Sequence, residues 1–371
     1  MKSYKLGEIA SFFQGKQVDL ENQFLNKDEN HNVRFVRIVD YTNSDEPIRY
    51  IENLGEKYYA RKGDLVMIRY GSQTAGKVVM GKSGIIANNM FKINLDNTVA
   101  NNEFMYYYLS QPHIFDYLRR AQSSSTMPAI NFGMLNNFEV MIPNIDIQEK
   151  IVSILKKLDD RIKINTQIND NLYELGDVLY KEYYSKYENE LPNGYKYLNL
   201  NEVSVNFDSK RKPMSSRERE QHKGIYPYYG ATSIIDYVDD YIFDDTYLLM
   251  GEDGTVKTNE GYPVLQYIWG KSCINNHTHV LQGTIISTEH LMFALRKKNI
   301  ETLITGAVQP KINQENMNKI KIIIATDDIN IKFEEQIKII VDKIKFNSIE
   351  NITLTQLRNT LLPKLMNEKI D

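Results

Sequence analysis

The sequence predicts an α+β chain written twice: two mixed α/β globular units separated by two long helices, packed as an antiparallel coiled coil and related by a pseudo-two-fold internal repeat. Three observations carry this. A polar, proline-led stretch ending in an apolar run occurs as "MPAINFGMLNNFEVMIP" at 127–143 and again as "QPKINQENMNKIKIIIA" at 309–325. Each copy continues into a segment with apolar residues at seven-residue spacing. Ahead of each lies a block of short β-prone runs ("DLVMIRY", "GKVVMG", "FKINL", "TYLLMG", "THVLQG") broken by Gly and Asn turns. Helical patterns near 104–118 and 289–298 complete each block.

The repeat has one offset. Pro128 aligns with Pro310, and 310 − 128 = 182. The same step carries Asn131 to Asn313, Asp146-Ile147 to Asp328-Ile329, Asp160 to Asp342, and Leu172, Leu175 and Leu179 to Leu354, Leu357 and Leu361. Ungapped register over roughly fifty positions marks a duplication. Earlier parts match more loosely. Met67 pairs with Met250, Gly71 with Gly254, Asn88-Asn89 with Asn275-Asn276, and "YKLGEIA" with "KYLNLNEVS". The chain therefore divides into a globular unit at 1–145, a shared helix at 146–187, a second unit at 188–326 and a second shared helix at 327–371.

In the shared segments, Asp146 is placed as N-cap with Glu149 at capping-box spacing. Ile151, Leu158, Asn165, Leu172 and Leu179 recur every seven residues, and Phe333, Ile340, Asn347, Leu354 and Leu361 repeat the pattern. Ile154, Ile168 and Leu175 are expected to fill the intervening row, which Arg161 interrupts. A sustained heptad seam points to coiled-coil packing. Helices of about 38 residues extend roughly 57 Å. Asn165 and Asn347 hold the same seam position. Buried near each other at the helix crossing, they would trade stability for register; the alternative, two amides facing solvent, stays open.

Composition narrows the function classes. The 371 residues are 42% hydrophobic and 25% charged, ordinary for a globular chain. No apolar run approaches ~18–20 residues and no signal-peptide pattern opens the chain, so the expected setting is the cytoplasm, with no membrane contact. Cys273 is the single cysteine, which excludes an internal disulfide and a cysteine-based zinc site. The net charge of −3 means that any DNA reading must rest on local charge or on partner subunits.

"GSQTAGK" at 71–77 has phosphate-loop spacing, but Val78 stands where Ser or Thr is needed and a strand pattern follows, so it reads as a polar loop. His277 and His279 alternate as on one strand face; polar groups on a sheet surface fit them better than a metal site. No nucleophile elbow, methyl-donor loop or nuclease-like acidic cluster is found, and the chain reads as non-catalytic with no cofactor. Other stretches suit DNA contact. They supply Arg69, Tyr70, Ser72, Gln73, Thr74 and Lys77 in "IRYGSQTAGK", Lys210, Arg211 and Lys212 in "FDSKRKP", and Tyr228, Tyr229 and Thr232 in "YPYYGATS". Ser123, Ser124, Ser125 and Thr126 precede the first repeated segment, while Gln309 and Lys311 lie at the second. Lys16, Gln17, Glu252, Asp253, Thr255, Lys257, Asn276, His277 and His279 complete the candidates. Arg and Lys suit guanine edges and phosphates, Asn and Gln suit adenine, and small hydroxyl residues permit close approach.

The order of unit, coil, unit, coil resembles the DNA-specificity subunit of type I restriction-modification systems. "PAIN…VMIPNIDIQEKIVSILKKLDDRIKINTQI" at 128–168 is similar to the family's first shared region, and "PKINQENMNKIKIII…EEQIKIIVDKI" with "LTQLRNTLLPKLMNEKI" to the second. Ala325 departs from the pattern where the first copy has Pro143, which is expected to alter the angle at which the second helix starts. The resemblance implies two target-recognition domains, each reading half of a split double-stranded DNA site, with the helices setting the gap. It further implies two methyltransferase subunits docked on the helices and added endonuclease-translocase subunits. S-adenosylmethionine, ATP and Mg2+ would belong to those partners. A related type II specificity subunit cutting outside its site, or a coiled-coil adaptor without DNA, remains the alternative.

Overall fold

The computed structural model describes residues 1–43, 46–71, 74–120, 129–306 and 308–367. Two long helices run over Ile145–Tyr183 and Asp327–Asn367. The chain forms two compact units, Met1–Lys163 with Asn351–Asp371, and Ile164–Glu350. Among the described residues no helix is long and apolar enough to cross a membrane.

The first unit has an antiparallel ribbon of Lys2–Lys5 with Glu139–Ile142 and two four-stranded sheets. One sheet has the order Ala10–Gln14, Met90–Leu95, Leu65–Ile68, Val78–Met80. The other runs Arg49–Ile51, Val33–Val36, Gly84–Ile86, Tyr59–Ala60, with a parallel pair at its centre. The second unit repeats this strand for strand. Its ribbon is Lys196–Asn199 with Lys321–Ile324. Its sheets are Ser204–Asn206, Thr278–Gly283, Tyr247–Gly251, Leu265–Ile268 and Ile234–Val238, Lys223–Tyr229, Lys271–Ile274, Phe243–Asp244. Leu65–Ile68 and Tyr247–Gly251 are buried at every residue, which explains why these central strands read as continuous apolar runs rather than alternating ones.

The expected helix near 104–118 is two helices, Asn102–Leu109 and Pro112–Arg120. Pro112 lacks an N–H and disfavours helical backbone at Gln111, so the chain breaks and restarts there. Its counterpart is Thr288–Arg296. Asn101 and Ser287 cap these helices, accepting from the Phe104 and His290 amides. Gly71 (φ 122) and Gly254 (φ 75) both adopt positive φ after the central strand, so this loop glycine is retained in each copy for its backbone. A strand, Val78–Met80, follows Lys77, so no helix N-terminus is available to a phosphate there.

Asp146 is not the N-cap. Asn144 takes that place, its side chain accepting from the Ile147 amide at 3.1 Å, and Asp146 sits in the first turn, where its charge favours the helix dipole. At the second helix, Ala325 uses the N–H that a proline would lack. It donates to Asn330 Oδ1 at 3.2 Å, while Asn330 Nδ2 donates back to the Ala325 carbonyl at 3.0 Å. Gln148, the equivalent of Asn330, finds no N–H at Pro143; its Nε2 donates to the Pro143 carbonyl at 2.8 Å and its Oε1 accepts from the Asn101 amide at 2.8 Å instead.

Residues of the heptad row are buried or half-buried, and the companion row lies one residue later than expected. Ile154 and Leu175 are exposed, as are Arg161 and Leu357. The inward companions are Leu155, Ile162, Asn169 and Gly176 on the first helix and Ile337, Ile344, Asn351 and Arg358 on the second, a step of four rather than three. Both steps fit a seven-residue repeat; only packing distinguishes them. Asn165 and Asn347 are both buried. The amide partner of Asn347 is Asn169 Oδ1 at 2.8 Å, rather than Asn165, and Asn165 Nδ2 donates to Glu350 Oε2 at 2.7 Å. In the second unit these contacts, with Tyr183 and Phe333 ring centroids 5.5 Å apart, pair rising numbers with falling ones, so the helices are antiparallel. In the first unit Arg358 Nη1 donates to Asp159 Oδ1 at 2.7 Å, and Leu362 and Met366 share one core with Ile151, Val152 and Leu155.

Candidate nucleic-acid interface

Each unit fastens the end of its central strand in the same way. The Arg69 amide donates to the Asn89 carbonyl at 2.8 Å and the Ile130 amide to the Arg69 carbonyl at 2.9 Å. In the second unit, Glu252 donates to His277 at 2.9 Å and Ile312 to Glu252 at 2.9 Å. Bridges Tyr70–Ala129 and Asp253–Lys311 extend the match. The Lys16 amide bonds the Ile86 carbonyl at 2.9 Å, as Lys212 bonds Ile274 at 3.1 Å. These bonds correct the sequence pairing by one residue: Ala87 corresponds to Asn275, Asn88 to Asn276 and Asn89 to His277. Because Ile130 and Ile312 open the repeated segments, each rim is tied by backbone bonds to the stretch that leads into a long helix.

Chemistry at these matched positions differs. In the first unit Arg69 bonds Gln14 Oε1, and its guanidinium lies over the Tyr70 and Phe132 rings, 5.1 and 4.8 Å from their centroids. Gln14 Nε2 donates to the Asn88 carbonyl at 2.9 Å, and Asn88 Nδ2 to Gln17 Oε1 at 3.2 Å. In the second unit Glu252 replaces Arg69 and Asp208 replaces Gln14. Arg211 Nη1 reaches Glu252 Oε2 at 2.5 Å and the Thr278 carbonyl at 2.9 Å, and Lys311 Nζ lies 3.2 Å from Glu252 Oε1.

His279 is not on the sheet surface: it is buried where the first unit has Phe91. Its Nδ1 lies 2.6 Å from Asp208 Oδ2 and its Nε2 2.9 Å from the Ile312 carbonyl, and two acceptors call for two N–H donors. Burial works against ionising Asp208 and Glu252. Bonds and charge from His279 on the first, and from Arg211, His279 and Lys311 on the second, outweigh it and hold both carboxyls below their ordinary range. Asp208, Glu252 and His279 offer ligand atoms within 4.8 Å of one another, the kind of set that holds a metal. Arg211 and Lys311 already balance those carboxylates, so the group is a closed ion network without needing an ion.

The profile of the type I restriction modification DNA specificity domain matches residues 1–174 and 192–359. The chain belongs to the type I restriction-modification DNA-specificity family. Among relatives, the HindI specificity subunit of Haemophilus influenzae is 23% identical, with all of this chain aligned to 99% of that protein. The MjaIX specificity subunit of Methanocaldococcus jannaschii is 21% identical over 78% of this chain and 74% of its own length. The crystal structure of a type I S subunit from M. genitalium has the same fold, with a TM-score of 0.59 at 17% identity, covering 99% of this chain and 96% of that one.

Within this specificity subunit, the sequence candidates separate into groups. Arg69, Tyr70 and Thr74 lie at the first rim, with Lys16 and Gln17 exposed beside it and Lys77 exposed at the end of the following turn. Arg211, Glu252, Asp253, Asn276, His277 and Lys311 meet at the second, with Lys210 and Lys212 exposed on the same loop. Lys16, Lys77, Lys210 and Lys212 form no ion pair among the described residues. Tyr228 is interior, its hydroxyl accepting from the Met214 amide and donating to the Lys212 carbonyl, so like His279 it supports the loop instead of facing solvent. Tyr229 packs in the core beside Phe207. Thr232, Thr255 and Gln309 are exposed outside the network, and Lys257 pairs with Glu301. Ser72, Gln73, Ser123, Ser124, Ser125 and Thr126 lie outside the described residues. Sequence reasoning missed Gln14, Asn89 and Asp208. Asp208 lies in the singled-out "FDSKRKP" and Asn89 in the matched Asn88-Asn89, but only strand pairing brings them and Gln14 to the rims.

Proposed function

We propose that this chain, as the non-catalytic specificity subunit of a type I restriction-modification complex, reads a split DNA target with one unit per half-site at the two strand-end rims. The single observation that carries this is the conserved backbone scaffold with exchanged side chains: one holder fitted for two different half-sites. The unpaired lysines Lys16, Lys77, Lys210 and Lys212 contribute phosphate contacts, which position the rims without reading sequence. With a net charge of −3, the subunit leaves much of the phosphate neutralisation to two methyltransferase subunits, and the restriction subunits complete the nuclease. S-adenosylmethionine, ATP and Mg2+ act in those partners.

The antiparallel helices set the gap between half-sites. Co-expression with its methyltransferase and mapping of methylated adenines is expected to show a two-part motif with a fixed gap; a single uninterrupted motif would overturn the reading. Removing one heptad from both helices shortens each by about 10.5 Å, or roughly three base-pair steps, so the gap should shift by that amount or methylation should cease. An unchanged gap defeats the spacer role.

A further inference from the structure

Asn89 and His277 occupy one position in the common scaffold. Each uses its backbone carbonyl to accept from the residue that follows the central strand, and each leaves its side chain at the rim. Their hydrogen-bonding chemistry is opposite. In the first unit Asn89 Oδ1 is covered and without a partner, while its Nδ2 carries no bond among the described residues. The rim there presents an amide N–H donor. In the second unit His277 Nδ1 lies 2.6 Å from Asp253 Oδ1, and Asp253 holds the place of Tyr70. A carboxylate beside Nδ1 selects the tautomer with the proton on that nitrogen, which leaves Nε2 outward as an acceptor. Half of the His277 side chain is exposed. Alongside both positions stands the same residue, Lys16 in one unit and Lys212 in the other, exposed and anchored by the same backbone bond.

Resting on the split-target reading above, we infer that Asn89 and His277 are specificity-determining residues at one shared position, the first selecting a base edge that presents an acceptor and the second a base edge that presents an amino group. In the major groove guanine and thymine present acceptors and no amino group, through O6 and N7 or O4, whereas cytosine and adenine present an amino group at N4 or N6. Tyr70 and Asp253 are positioning residues, and Lys16 and Lys212 make the phosphate contact common to both half-sites.

The test uses the complete methyltransferase complex at pH 8, with motif mapping and with methylation rates on oligonucleotides carrying each base in turn. Asn89→Asp replaces the donor with an acceptor. It should shift one position of the first half-site from guanine or thymine towards cytosine or adenine, changing relative rates roughly ten- to a hundredfold, and leave the second half-site as it was. His277→Ala should relax one position of the second half-site alone. Lys212→Ala should slow methylation on every sequence alike, with no change of motif. If the unaltered complex gives no split motif, the specificity reading itself fails. If it does, but both variants keep the wild-type preferences at every base within about twofold, the inference is wrong. Loss of activity in a variant with an unchanged melting temperature and equal weakening at both half-sites also overturns it. A lowered melting temperature moves the test to Asn89→Ala and His277→Gln, where unchanged base preferences again count against it.

Discussion

The first and second units agree in every sheet order yet fill equivalent places with opposite chemistry. Phe91 faces His279, Phe104 faces His290, Gln14 faces Asp208 and Arg69 faces Glu252 across the repeat. The lesson is that one backbone scaffold accepts a buried imidazole where its other copy holds a phenyl ring, provided hydrogen-bonding partners accompany it. His279 alone in the place of Phe91 would bury ring nitrogens without hydrogen-bond partners; with Asp208 and the Ile312 carbonyl both are satisfied. One network is rigid through charge, the other through stacking.

The largest test of this contrast removes one member of the charged set. Glu252→Ala takes from Arg211, in a mostly enclosed position, and from Lys311 their shared carboxylate. It leaves Arg211 the more distant Asp208 and backbone carbonyls, and should destabilise the second unit by about 2–3 kcal/mol, read by denaturant unfolding. Arg69→Ala in the first unit, which loses the bonds to Gln14 Oε1 and the Ile130 carbonyl and two ring contacts, should cost about 1–2 kcal/mol. Equal losses would show that the two rims are held alike.

Next is acid sensitivity. Burial pushes the His290 imidazole below its ordinary value, although the Glu334 carboxylate, 3.2 Å from Nδ1, partly opposes this. His290 is thus neutral when folded and protonates more readily when unfolded. Its contribution is complete above about pH 6.5 and falls as pH drops below that, by up to about 1.4 kcal/mol per pH unit. Asp208 and Glu252, held low in the fold, add a further loss below about pH 4.5 as they are forced to protonate. The second unit should therefore melt before the first on acidification from pH 7 to 5. His290→Phe, which copies Phe104, should flatten that dependence; an unaltered pH profile would exclude His290 as its source.

Smaller effects come from the helices. A Cβ on Gly176 would meet the Phe293 ring at 2.2 Å. Gly176→Ala should lower stability by about 1 kcal/mol, the clash outweighing the gain in helix propensity, whereas an exposed helix glycine would gain. Tyr107→Phe, which loses the 2.6 Å bond to Asp159, should cost about 1 kcal/mol in the first unit. Thermal melts of each variant would rank them.

Much of this was legible in the chain. The offset of 182 revealed the duplication because the helices and their lead-in strands face constraints of period and capping that tolerate little change. The seven-residue row identified the seam, but not its companion, since steps of three and four are equally compatible with that period until side chains pack. The rims were half legible. Arg69, Arg211 and Glu252 stand out by charge in polar loops, whereas Gln14 and Asp208 reach them only through strand pairing across Met90–Leu95 and Thr278–Gly283. The one-residue slip at Asn88-Asn89 arose because a repeated dipeptide offered a tempting match that backbone hydrogen bonds reject.

Leu362 and Met366, near the end of the second long helix, sit in the core of the unit that begins at Met1. On the ribosome the amino-terminal half is therefore made first and finished last: its hydrophobic interior stays open until the carboxy-terminal turns emerge. Nonsense or frameshift mutations within the last turns of that helix would then damage the half of the molecule encoded farthest from them.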